Sequence, residues 1–207
     1  MKRLLSWFVC VVVLLTFSAG AVAGTTVLGP SGLIKVPTAD ALTAGELSFA
    51  YHLEDERGVG SLAYGLTDSI ELGVYTKREG TYLGPHAKAL LIGETSNLPG
   101  VAVGLAHESF YMVASKRLPG AGLRGHVGVG TKAYDGLFIG VSKMLNPVTV
   151  DKGVKNTSMP TTLLAAEYLR GGFNIGAEVL LTPELRIKVA AEDLKHVILG
   201  VNFKVSI

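Results

Sequence analysis

The last strand-length stretch of the chain alternates without a break. Val197, Leu199, Val201, Phe203, Val205 and Ile207 are apolar, and His196, Ile198, Gly200, Asn202, Lys204 and Ser206 interleave with them. A period of two places the first set on one face of a β-strand and the second on the other. The same period recurs in eleven segments upstream: Leu47 to Leu53, Leu62 to Leu66, Ile70 to Tyr75, Ala87 to Leu91, Val101 to Leu105, Phe110 to Ala114, Val127 to Val129, Leu137 to Val141, Leu164 to Tyr168, Phe173 to Leu181 and Leu185 to Ala191. Short turn signals separate several of them, such as Thr67-Asp68-Ser69, Thr182-Pro183-Glu184 and Asp193-Leu194-Lys195. The stretches Glu54 to Gly60 and Asn146 to Met159, the latter with the sequon Asn156-Thr157-Ser158, read as polar loops. Helical promise is confined to Thr38 to Ala44, too short to be stable alone. The pattern predicts an all-β chain of about twelve strands.

Composition narrows the kind of β protein. Charged residues make up 17% of the 207, and there are 26 glycines. A disordered chain would be richer in charge and poorer in apolar residues. The single cysteine, Cys10, excludes a disulfide scaffold.

The first residues read as an export signal. Lys2 and Arg3 precede an apolar run from Leu4 to Phe17, and Ala21-Val22-Ala23 is a small-residue cleavage pattern. The run is short of the ~20 residues a spanning helix needs. Removing Lys2 and Arg3 from the 19 basic residues leaves 17 against 17 acidic ones, so the exported chain has no basic excess and no nucleic-acid signature. No later segment is long and apolar enough for a transmembrane helix.

An exported chain of alternating strands is either a soluble secreted β-domain that binds a ligand or partner, or a membrane barrel whose apolar face meets lipid. Periodicity alone does not choose. The membrane barrel is favoured by the small, sparsely charged second face, by strand lengths near the ~9–11 residues a tilted spanning strand needs, and by short turns on one side with longer loops on the other. It is also favoured by the way the last strand runs to the chain end, where closure against the first strand would remove every sheet edge. The expected architecture is a closed antiparallel transmembrane β-barrel over 46–207. A short plug-like or rim segment, 24–45, precedes it, and residues 1–23 are the signal peptide. Pro37 cannot donate to a ladder, which keeps Gly32 to Ala39 out of the barrel wall.

The second face carries Glu71, Lys88, Glu167, Glu178, Arg186, Lys188, Glu192 and Lys204 as candidate lumen-facing polar residues. Glu178, Lys188 and Glu192 are placed to form an ion-pair network across strands, which serves either charge compensation or a solute path. Small residues on the same face (Ala63, Gly65, Gly73, Gly104, Gly128, Gly130, Gly140, Gly176, Gly200) predict a narrow lumen that admits water. Arginine is expected to be costly at Val201 and mild at Asn202.

Enzymatic chemistry has little to stand on. His52, His86, His107, His126 and His196 are scattered, with no metal-ligand spacing and no cofactor motif. His107 and Ser109 would share a strand face, but no third group orients a base for a hydrolase triad. Gly125-x-x-Gly128-x-Gly130 lies in a strand with no helix after it, unlike a phosphate loop.

Gly32-Leu33-Ile34-Lys35-Val36-Pro37-Thr38-Ala39 resembles the G-L-I-x-x-P-T/S-A segment of the YjbH family of outer-membrane β-barrels. Ala114-Ser115-Lys116 with the following glycine-rich strand and Gly136 to Val141 looks like that family's middle. Ala166-Glu167-Tyr168 with Phe173-Asn174-Ile175-Gly176 looks like its repeated hairpin. The resemblance implies a non-enzymatic protein of the outer membrane with a structural or transport role in exopolysaccharide production or export. Its implied partners are outer-membrane lipid and, beyond that, polysaccharide or envelope proteins.

Overall fold

The computed structural model describes residues 24–55, 57–77, 82–119, 122–146 and 160–207. The signal-peptide reading of residues 1–23 therefore lies outside the described residues, as do residues 147–159 of the expected polar insertion. Among the described residues there are twelve strands: β1 (Glu46–Glu54), β2 (Arg57–Thr67), β3 (Ile70–Lys77), β4 (Tyr82–Ile92), β5 (Gly100–Ala106), β6 (Ser109–Leu118), β7 (Leu123–Gly130), β8 (Gly136–Leu145), β9 (Thr162–Leu169), β10 (Gly172–Leu180), β11 (Leu185–Glu192) and β12 (His196–Ser206). Each pairs antiparallel with its neighbours in chain order, and β1 pairs with β12 from Glu46↔Ser206 to Glu54↔Ile198, so the sheet closes into a barrel without an edge. The sole described helical element is one 3-10 turn, Lys132–Tyr134. Residues 38–44 form no helix.

The end of the barrel that carries Glu46 and Ser206 is called the terminal end, and the other the distal end. The connection 93–99, the longest among the described residues, lies at the terminal end. Two distal connections are tight. His107 and Glu108 (φ 53° and 58°), and Arg170 and Gly171 (φ 53° and 83°), each join strands with two left-handed residues, the backbone that matches the twist of paired strands. The expected loop Glu54 to Gly60 is shorter than read: Leu53 pairs with Gly58 and Glu54 with Arg57, around Asp55 at φ 45°. Charge at the tips of strands that outreach an apolar belt reads as loop in a sequence, but it is still laddered.

The two faces are sorted by chemistry. The apolar set points out, with Phe110 69% and Leu137 65% exposed. On β12, Val201 is 48% exposed and its neighbour Asn202 is 4% exposed. An outward belt of this kind, with buried charge inside, inverts a water-soluble barrel and matches a lipid-facing one.

The inside is not an open, wet channel, and here the reading from small residues is corrected. Four of the glycines stand directly opposite large rings across the ladder: Gly73 opposite His86, Gly104 opposite Tyr111, Gly128 opposite Phe138 and Gly200 opposite His52. Each ring folds over its glycine. A Cβ on Gly128 would lie 2.2 Å from the Phe138 ring, and one on Gly104 2.3 Å from the Tyr111 ring. Tyr111, Tyr134 and Phe138 join Val113, Ala102 and Ala106 in one inner apolar cluster. Residues 24–45 fill much of what remains.

Candidate functional site in the barrel lumen

The segment from Gly24 to Leu42 runs inside the barrel. Leu28, Lys35 and Asp40 in it are half-buried and every other residue is buried. It folds back on itself through Thr25↔Ser31 and Gly32↔Pro37 bridges, with a tight turn closed by Leu33 N–H donating to Val36 O at 2.9 Å. Gly32 is required there: a Cβ would lie 2.5 Å from the Val36 carbonyl oxygen. Val27 and Ile34 pack with Val59, Ala190 and Ile198, while Val36 and Ala39 pack into the aromatic cluster on the other side.

Such a segment has backbone donors and acceptors with no ladder and no water. Burying them unpaired is costly. The segment's own turns satisfy some of them, as where Val27 N–H donates to Ile34 O at 2.9 Å, and the wall supplies partners for others, mainly with ionisable side chains.

Glu71 of β3 accepts Ser31 N–H at 2.9 Å, Ser31 Oγ–H at 2.6 Å and Leu42 N–H at 3.1 Å. Lys88 of β4, opposite Glu71 in the register, lies 3.7 Å from it and donates to Ser31 O at 2.8 Å and Thr38 O at 3.4 Å, as well as to Ser31 Oγ. Glu167 of β9 receives three successive backbone N–H groups, from Ile34 (3.2 Å), Lys35 (2.8 Å) and Val36 (3.0 Å), and the amide of Asn174 at 2.9 Å. Consecutive N–H groups converging on one anion form a backbone nest. Glu178 of β10 accepts Gly24 N–H at 3.0 Å and Arg186 Nη1 at 3.1 Å. Lys188 of β11 lies 3.3 Å from Glu178 and donates to Thr25 O at 2.8 Å and Leu33 O at 2.5 Å. Buried ions tolerated this far from water need both a counter-charge and hydrogen bonds; Glu71 and Lys88 have both, as do Glu178 and Lys188.

Two further contacts close the ends. At the distal mouth Lys35 reaches Glu54 at 2.6 Å and also Glu192. Burial alone would lower the Lys35 pKa, but hydrogen bonds and attraction from Glu192 and Glu54 outweigh it and raise the group above its ordinary value. Near the terminal end Arg124 grips Asp40 with both guanidinium nitrogens, Nη2 at 2.8 Å, and bonds Glu94 as well. A cavity of about 10 Å³ beside Leu33, Ile34, Ala165, Glu178 and Lys188 has room for roughly one water.

Seven of the eight sequence-predicted polar residues therefore meet this segment or a side chain that holds it. Glu71, Lys88, Glu167, Glu178, Lys188 and Glu192 bond it directly, the last at the Lys35 side chain, and Arg186 acts through Glu178. Lys204 instead pairs with Glu46 across the β1–β12 seam at 2.7 Å. The expected Glu178–Lys188–Glu192 network is split, since Glu192 sits at the other end of β11 and takes Lys35. Gly32, Leu33, Ile34, Pro37, Thr38 and Ala39 form the buried turn and its exit. Sequence reasoning missed Arg124, Ser115, Asn174 and Asn202 as holding residues. Arg124 has the same parity as inward His126 and Gly128, a signal that could have found it.

The hydrolase geometry is absent. His107 lies in a left-handed turn, off the strand that Ser109 begins, and its ring stacks on Tyr75 with centroids 3.7 Å apart. Ser109 Oγ donates to the His107 carbonyl and accepts Ala133 N–H. Among the described residues no three His, Cys, Asp or Glu side chains are grouped to hold a metal ion.

The barrel is similar to solved outer-membrane porins. It superposes on the KdgM porin with a TM-score of 0.50 at 11% identity, covering 78% of this chain and 99% of that one. The KdgM porin in complex with disordered oligogalacturonate gives 0.50 at 12% identity over the same shares. The Acinetobacter baumannii outer membrane protein Omp33 gives 0.45 at 11%, covering 78% of this chain and 97% of that one. The fold is that of a porin-type barrel. No family model matches the sequence, and no curated protein matches it.

Proposed function

We propose that this chain is exported through a cleaved signal peptide to the outer membrane and stands there as a non-enzymatic barrel whose lumen is closed by its own residues 24–45. One observation carries this: the charged wall residues that would line a solute path are instead bound to the backbone of that segment. The outward apolar belt supports lipid as the surrounding medium and speaks against the soluble secreted domain.

The role is structural, or transport gated by the segment. A place in exopolysaccharide production or export is the finer reading. It is supported by the resemblance of Gly32 to Ala39 to the YjbH segment, which here forms the buried turn held by Glu167. A porin of the same fold has been solved with oligogalacturonate, which makes a sugar oligomer a reasonable first solute.

Planar-bilayer recording tests the reading. The whole chain is expected to conduct poorly, and a variant lacking Thr25 to Thr43 to conduct more. If the shortened barrel folds, inserts and stays silent, its own side chains close it and the role is structural.

A further inference from the structure

Gly24 is buried inside the lumen, and its nitrogen donates to Glu178 Oε1 at 3.0 Å. Two acceptors beside it take no hydrogen bond: Glu178 Oε2 and Asn202 Oδ1. Glu178 is 6% and Asn202 4% exposed. Glu178 Oε2 faces Lys188 Nζ at 3.3 Å as its ion-pair partner, while Lys188 donates hydrogen bonds to Thr25 O and Leu33 O, so of the two it is Asn202 Oδ1 that is left open. The other ends of both side chains are committed, Glu178 Oε1 to Arg186 and Asn202 Nδ2 to Thr25 Oγ1 and Ser48 Oγ.

Both side chains lie against the same residue. A Cβ built on Gly24 would lie 2.8 Å from Glu178 Oε2 and 3.3 Å from Asn202 Cγ. A peptide nitrogen offers one N–H. A free α-amino group offers two even when neutral, one for Glu178 Oε1 and one for the open Asn202 Oδ1. Arg186 and Lys188 already balance Glu178, so the group enters chiefly as a donor and needs no charge of its own.

Gly24 also follows directly on Ala21-Val22-Ala23. We propose that Glu178 and Asn202 form a binding site for the chain's own new amino terminus, made when the Ala23–Gly24 bond is hydrolysed during export. A signal peptidase acting on the unfolded chain adds water across that bond. The hydroxyl stays on the Ala23 carbonyl and the proton on the Gly24 nitrogen. The freed amine then enters the barrel as it closes, and glycine is the residue that leaves room for it. This inference rests on the export reading above.

The test uses the whole chain, expressed with residues 1–23 and purified folded from the outer-membrane fraction. Intact mass gives the first residue, and acylation by an N-hydroxysuccinimide ester at neutral pH followed by peptide mass spectrometry reads the α-amine. The expected first residue is Gly24, with its amine labelled about tenfold or more slower in the folded barrel than after heat unfolding. Glu178→Gln with Asn202→Ala should speed labelling while the heat-shifted gel band still reports a folded barrel. A Gly-Ser-Gly insertion after Ala23, which leaves every wall residue in place, should expose the amine fully and lower the thermal midpoint. A first residue other than Gly24 overturns both the cleavage position and the site. Gly24 found first but labelled at the unfolded rate, or protected equally in the double variant, overturns the site and leaves the export reading standing.

Discussion

Ser31 donates both its backbone N–H and its hydroxyl to Glu71, at 2.9 and 2.6 Å, across 40 residues of chain. That pair shows how an irregular segment is kept inside a barrel: a carboxylate in the wall replaces the ladder partners the segment lacks.

Glu71 also neutralises Lys88, and both side chains are fully buried. Glu71→Gln leaves the ammonium uncompensated and is expected to destabilise the barrel by about 3–5 kcal/mol. Adding Lys88→Met should return part of that loss, so the double variant unfolds at higher denaturant than the sum of the singles allows. Urea titration followed by the heat-shifted band on gels measures it. An unchanged midpoint in Glu71→Gln would remove Glu71 as a holding residue.

The Asp40–Arg124 contact is expected to depend on pH. Burial alone would push the Asp40 carboxyl up, but the Arg124 guanidinium, with help from Lys88 and His126, outweighs it and holds the group below the usual carboxylate range. A folded pKa below the unfolded one means the unfolded chain binds more protons, so this contribution rises with pH. It is complete above the unfolded value of about 3.9 and disappears as pH falls through the folded one. Asp40→Asn should cost about 1 kcal/mol at neutral pH, since water still reaches the pair. The gap from wild type should close below about pH 4; a gap constant from pH 7 to 3 would contradict it.

Gly128 has no room for a side chain under Phe138, nor beside the Met112 carbonyl oxygen, 2.4 Å from where a Cβ would stand. Gly128→Ala should cost about 1–3 kcal/mol by overpacking. Phe138→Leu in the same chain should relieve part of it, because the ring is one of the two obstacles. Equal losses with and without the ring would place the strain wholly in the backbone. Thermal midpoints in one detergent suffice.

Val201 lies mid-strand on the outer face, and Val197 near the strand end. Arginine at Val201 is expected to cost about 2–4 kcal/mol at the bilayer midplane, and about 0–1 kcal/mol at Val197 near the interface. Refolding equilibria into lipid vesicles give both. Arginine at Asn202 is expected to be costly rather than mild, since the Asn202 amide holds Thr25 and Ser48 inside a filled lumen. Equal costs at Val201 and Val197 would sink the lipid-facing assignment.

How far the sequence reached follows from what each pattern encodes. Alternation over Val197 to Ile207 determined a strand and which side chains share each of its faces, because a period of two leaves a strand no other way to sort them. Parity also placed Glu71, Lys88, Glu167, Glu178 and Lys188 inside, and Pro37 kept its neighbours out of the wall. Register, though, is a relation between strands. That Gly104 faces Tyr111 and Gly128 faces Phe138 depends on turn lengths and closure, so glycines that read singly as empty space are covered. The partners of the inward charges were also beyond reach. Glu167 meets the backbone of Ile34, Lys35 and Val36, some 130 residues away, and a backbone N–H leaves no mark in a sequence. Only the closed barrel brings the two together, because only there does a segment without a ladder find itself out of water and beside a ring of buried carboxylates.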